Sequence, residues 1–427
     1  MKYLLLLFVI VSFAACSPDS AEILDLSSSI DEVKFIELRA DHKTLLPNGQ
    51  AKMRFRVIAY GADDFATYEE VEEGGNISYV EGVSRDTFEI PTDRLPEGSI
   101  KLFTQDGEEI KNMEYSTTDP TIRTLTFYAK IGELKSNELQ IQIRELPEED
   151  YEEIVIPVIF HVLVPAATIA PSYNVSSAEL QKRIEQLNNI FNGRATTDPN
   201  GGNAKITFRL AEYSPSGALL TELGKNKVDI DEAWSSSEYE DYIESELIWD
   251  PTKYLNIWLA DASSDYGAPN VRLEGTPEID GLNTDEVADF TGDDVSRLTD
   301  VGVLVNIQDF LDTESRDVFD ISLVLGDYLG LLYTDQKDNN NFVNGDNDYC
   351  PDTYSYYRTY SSSIYKNNRL YKQDANATYE WFTSFNIMDN YSFKNSITVD
   401  QAKRIRKVLE QCPSRWAYKS NWAFEGK

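Results

Sequence analysis

Side chains able to hold a soft metal or shuttle a proton are scarce in this chain. It has two histidines, His42 and His161, and three cysteines, Cys16, Cys350 and Cys412. Two imidazoles cannot supply a three-histidine metal site. His161 lies inside an apolar run and is expected to be structural. Oxygen donors are more plentiful. Residues 335–348 are a run of Asp and Asn around Gly345, the composition that can wrap calcium through about six to eight oxygens. The run lacks the spacing of a hand-type loop, so a solvated acidic loop is the first expectation and calcium the second. Residues 354–371 are rich in Tyr and Ser, which suit an adaptable recognition surface as well as an ordinary amphipathic one.

One stretch has a sharper pattern. Residues 316–332 read as a helix containing Ile321-Ser322-Leu323-Val324-Leu325-Gly326-Asp327-Tyr328-Leu329-Gly330-Leu331-Leu332-Tyr333-Thr334. Placed on H-E-x-x-H-x-x-G-x-x-H, its Gly330 falls on the glycine, and its surroundings resemble the pappalysin and cytophagalysin branch of the metzincin zinc peptidases. In that pattern two histidines one helical turn apart hold zinc, and the glycine turns the chain so that a third can reach it. The glutamate is the general base toward metal-bound water. Here Leu323 stands at the first histidine, Val324 at the base, Asp327 at the second histidine and Tyr333 at the third.

The resemblance extends beyond the helix. Asn386-Ile387-Met388-Asp389 resembles the methionine turn beneath the zinc of metzincins, with Met388 as its methionine. Residues 156–162, 187–192, 254–258 and 348–353 resemble further family segments in the same order. It implies a metzincin-like domain over residues 152–427 whose hydrolytic machinery is missing. The expectation is a chain that is not an enzyme, a pseudopeptidase binding a peptide, protein or glycan partner, with zinc not expected. The alternatives are an active zinc-dependent metallopeptidase with unconventional ligands (Asp327, Tyr333 and other carboxylates) and an adhesin or structural surface component. Cys350 and Cys412 form an even pair in a compartment that permits disulfides, and a bridge is expected, with two buried thiols as the alternative.

The elements that must position these residues are legible in part. Period-two apolar runs at 53–59, 122–129 and 139–143, bounded by turns such as Pro47-Asn48-Gly49, indicate an all-β sandwich over 31–146 that resembles immunoglobulin-like modules. An acidic, proline-bearing boundary at 145–150 separates it from an α/β (α+β) domain. There, residues 154–164 read as a buried central strand, with further strands at 204–211, 254–260 and 301–307. Ser176 with Glu179, and Thr398 with Gln401, are capping boxes that open helices.

The amino terminus sets the expected compartment. Residues 3–15 are apolar but too short to span a bilayer, which takes roughly 20 residues. They end in Phe13-Ala14-Ala15-Cys16, which resembles the bacterial lipoprotein box. Residues 1–15 are then a signal peptide, Cys16 the lipidated residue and 16–30 a tether, with the chain held at the bacterial outer membrane or cell surface. The balance of 39 basic against 73 acidic residues, net −34, argues against nucleic-acid partners, whose phosphates need Lys and Arg.

Overall fold

The computed structural model describes residues 29–73, 76–146, 150–166, 173, 175–262, 271–273, 279–282, 284–286, 298–311, 321–336, 348–353, 356–357, 369–373, 379–389 and 394–427. The signal, Cys16 and the tether up to residue 28 lie outside the described residues, as do 337–347 of the acidic loop. So does most of the tyrosine-rich stretch. Among the described residues no helix is long and apolar enough to cross a membrane. The described fold is mixed, with strands at the amino-terminal end and an α/β arrangement after them. It divides into two compact units.

Among the described residues, the first unit comprises 29–37, Val57–Lys101 and Ala129–Asn137. Its main element is an antiparallel hairpin running from Ala59 opposite Ile90 to Glu73 opposite Asn76. Val57, Ala59, Ile90 and Ile131 are buried near its base. Farther out, Arg85 donates to both carboxylate oxygens of its cross-strand neighbour Asp64, at 2.6 and 2.9 Å. The apolar alternation ends near Ala59, yet the strand continues to Glu73.

The second unit comprises Leu38–Arg56, Leu102–Tyr128 and Glu138–Lys427. Its β part pairs Thr44–Leu45 with Gln142 and Ile143, and Leu139–Gln142 with Thr124–Phe127. Phe127 is fully buried there, against Phe55 and Tyr115.

Its α/β part is built on one strand, β1 (Ile154–Pro165). β1 pairs in parallel with β2 (Ile206–Leu210) over its first half and with β3 (Lys225–Ile230) over its second. On its other edge lies β4 (Leu255–Ala260), followed by β5 (Gly302–Asn306), again parallel. Parallel strands covered on both faces need apolar side chains at consecutive positions, and these strands have them. Alternation sends Val158 and Phe160 of β1, Ile257 and Leu259 of β4, and Val303 and Val305 of β5 to one core. Leu163, Trp258 and Leu304 point to the opposite face.

The first core is closed by α1 (Ser177–Phe191), whose Leu180, Ile184, Leu187 and Phe191 are buried. Ser176 caps α1 by accepting from Glu179 N, and Gly193 follows its end with φ +63°. The second core is closed by α2 (Ser236–Glu246) through Tyr239 and Ile243. After β5 come α3 (Ile307–Leu311), α4 (Ile321–Tyr328) and α5 (Val399–Gln411). α4 and α5 join the first core, and this face of the sheet therefore holds the candidate site.

Candidate functional site

α4 is buried at every position from Ile321 to Tyr328. The sequence pattern runs on to Leu332, but the helix stops at Tyr328 because Gly330 adopts φ +86°. Gly330 N–H donates to Asp327 O at 2.8 Å and Leu331 N–H to Gly326 O at 2.9 Å. These two bonds form a Schellman ending, which satisfies carbonyls a helix end otherwise leaves open. Arg404 on α5 clamps the turn, its Nε donating to Gly330 O at 2.6 Å and its Nη2 to Asp280 O at 2.8 Å.

The Asn386–Asp389 turn lies directly against this helix. A Cβ on Gly326 would stand 2.6 Å from Met388 Sδ, so any other residue there would force the Met388 side chain to shift. The turn itself is fixed by polar pairing. Asn386 Oδ1 accepts from Met388 N at 2.9 Å, and the amides of Asn386 and Gln401 bond reciprocally at 2.8 and 3.1 Å. Gln401 Oε1 also accepts from Thr398 N at 3.0 Å, so the α5 capping box and the turn share one side chain. Asp389 accepts hydrogen bonds from Thr334 and Ser384.

Helix α4, the turn at Gly330 and the Asn386–Asp389 turn are thus packed together. Leu323, Val324 and Asp327 are buried on α4, and Tyr333 is half-buried beyond the turn. A three-histidine zinc set does not fit these residues, because Leu323 and Val324 offer no donor atom. Asp327 and Tyr333 offer oxygen. Among the described residues no group of three His, Cys, Asp or Glu is arranged to hold a metal ion.

The two histidines have different settings. His161 is buried on β1, where Asn256 fixes its tautomer. Asn256 Oδ1 accepts from Trp249 N and its Nδ2 donates to Trp249 O, so its oxygen faces His161 Nε2 at 3.0 Å. The imidazole must donate there, and Nδ1 accepts from Asn226 Nδ2 at 2.9 Å. Burial pushes its pKa down to about 4. It is structural, as expected. His42 is less expected. A boundary at residue 146 assigns it to the β module, but it belongs to the same compact unit as the methionine turn, and its ring stacks on Phe385 at 6.5 Å. No local spacing announces this, since the partners are over 340 positions apart.

The expected Cys350–Cys412 bridge is not formed. Both are buried free cysteines, each packed in its own setting. Cys412 caps α5 with its Sγ 3.3 Å from Ser414 Oγ. Cys350 sits in a turn where its N–H donates to Asp348 Oδ1 at 3.1 Å. Burial, then the Asp348 charge, pushes the Cys350 thiol well up, which keeps it protonated.

The chain is similar to solved structures at low identity. The similar solved structures are of mirolysin. Tannerella forsythia mature mirolysin in complex with a cleaved peptide is 20% identical, with a TM-score of 0.45, over 64% of this chain and 98% of that one. Mirolysin in complex with a small compound is 18% identical, with a TM-score of 0.42, over 64% and 98%. A Tannerella forsythia promirolysin mutant is 20% identical, with a TM-score of 0.43, over 66% and 87%. No family model and no curated protein matches the chain. Two expectations are corrected by these likenesses. Against the expectations of a chain that is not an enzyme and of zinc not being used stand these structures of mirolysin, one of them in complex with a cleaved peptide.

Proposed function

We propose that this chain is a surface-anchored peptidase of metzincin architecture, with a metal held by oxygen ligands in place of three histidines. Asp327 and Tyr333 are two of those ligands, and an all-oxygen set suits harder cations than zinc as well as zinc itself. The observation that carries the reading is the seating of α4 on Met388. Support comes from the close contact at Gly326 and the left-handed turn at Gly330, which is the arrangement a metzincin frame calls for. That frame costs conformational freedom and excludes ordinary side chains at two positions, which a generic buried helix does not require. The amino-terminal strands are read as an immunoglobulin-like module that presents the peptidase domain outward.

The test is peptide cleavage. The chain from Ser17 onward is loaded in turn with zinc, manganese or calcium and incubated with a peptide library read by mass spectrometry. The expected result is new cleavage products that a chelator abolishes, with Asp327→Asn slowing cleavage at least about tenfold, or about 1.4 kcal/mol in the barrier. Absence of products with every metal overturns the proposal.

The anchor is a separate expectation. Cys16→Ala is expected to abolish incorporation of labelled palmitate and to leave residues 1–15 attached in the intact mass. One lipid-bearing cysteine holds a chain to a membrane surface without spanning it. Palmitate label that persists in the variant would refute Cys16 as the lipidated residue.

A further inference from the structure

Leu38–Arg56 is tied to the loop that follows α1 by a series of bonds. Leu46 N donates to Pro199 O and Lys52 N to Thr197 O, both at 2.9 Å. Thr44 Oγ1 donates to Asn200 Oδ1 at 2.7 Å and Arg54 Nη2 to Thr197 Oγ1 at 2.9 Å. None of these bonds changes with pH near neutrality, since each joins a backbone group, a hydroxyl, an amide or a guanidinium.

His42 lies in the same segment and is 6% exposed. Its Nδ1 is 3.6 Å from Asp41 Oδ1, and its Nε2 is 3.7 Å from Asp198 Oδ1 on the loop. Its ring stacks on Phe385, the residue before the methionine turn, and Arg54 lies over the same Phe385 ring at 5.1 Å. Asp389 of the turn adds a third carboxylate charge. Lys52 and Arg54 of this segment both pair with Glu114, and Arg39, Lys43 and Arg56 are its further cations.

We propose that His42 is a charge-gated latch. As imidazolium it joins Leu38–Arg56 to the 196–202 loop and to the methionine turn. On losing its proton it leaves Asp41 and Asp198 facing a neutral ring, and the attachment weakens. The direction of its titration agrees. Burial alone lowers an imidazole, but Asp41, Asp198 and Asp389 outweigh it, so its pKa stands above 6.5. A group raised on folding contributes its hold fully below 6.5 and loses it as pH rises through the higher folded value. The latch is therefore closed below pH 6.5 and loosens as pH rises through the higher folded value. It does not depend on the peptidase reading.

The chain has only two histidines, so proton NMR of the imidazoles resolves both titrations in the intact protein. His42 is expected to titrate above pH 6.5 and His161 far below it. Hydrogen exchange, corrected for its intrinsic pH dependence, is expected to show protection across Leu38–Arg56 falling by about tenfold for each pH unit by which the folded value is raised. His42→Gln should remove that fall. Asp198→Asn should lower the His42 midpoint, and it serves where His42→Gln does not fold. A His42 midpoint at or below 6.5, equal protection at pH 6 and 8.5, or an unchanged midpoint in Asp198→Asn overturns the latch.

Discussion

Gly330→Ala is expected to cost about 2–5 kcal/mol of unfolding free energy. Two costs combine. At φ +86° an alanine Cβ meets backbone strain, roughly 1–2 kcal/mol. The same Cβ would lie 2.6 Å from Val408 Cγ2 on α5 and 3.1 Å from Leu282 Cδ1, and overpacking of a filled core adds roughly 1–3 kcal/mol. Gly107 separates the two costs. It also has φ +86°, but a Cβ there meets nothing within 4 Å. Gly107→Ala should therefore show the strain alone. Urea unfolding of both variants is the measurement, with the midpoint shifted and the slope unchanged. Equal losses in the two would mean that the packing of Gly330 against α5 is not what holds the turn.

Gly330 also shows how far the sequence could be read. Its place in the motif is visible from spacing, but the end of α4 is not, because Leu329, Leu331 and Leu332 continue the apolar pattern. A left-handed glycine stops the helix where periodicity would carry it on. The buried strands and the Thr398–Gln401 cap were legible because each is a local pattern. The outer hairpin was not. Asp63, Asp64, Glu69, Glu70, Glu72 and Glu73 are poor strand formers, and cross-strand pairing with residues 76–90 overrides that preference. Long-range polar geometry was equally hidden. Gln401 reads as a cap residue, and nothing near it in sequence announces its pairing with Asn386. The cysteines show the converse, since a pair of cysteines allows a bridge without requiring one.

Acidification is expected to remove about 3 kcal/mol of stability through His161 alone. The neutral ring bonds both nitrogens inside the apolar sheet, donating to Asn256 and accepting from Asn226. A proton on Nδ1 would turn that acceptor into a donor facing the Asn226 Nδ2 donor, in a place where burial already opposes charge. The folded pKa is thus depressed from 6.5 to about 4. A depressed group contributes stability that is present above the unfolded value and lost as pH falls toward the folded one, so the loss should run from about pH 6.5 to about pH 4. A depression of this size corresponds to roughly 3 kcal/mol at about 1.36 kcal/mol per unit. His42 has the opposite sign, but its contribution is complete below 6.5 and changes only above it, so it adds no slope in this acid window. Urea midpoints at about pH 6.5 and about pH 4 for the parent chain and for His161→Gln isolate His161. The parent chain should lose more on acidification than the variant, by up to roughly 3 kcal/mol. A smaller loss would mean that His161 accepts its proton at an ordinary pKa and that the Asn226 contact rearranges to allow it.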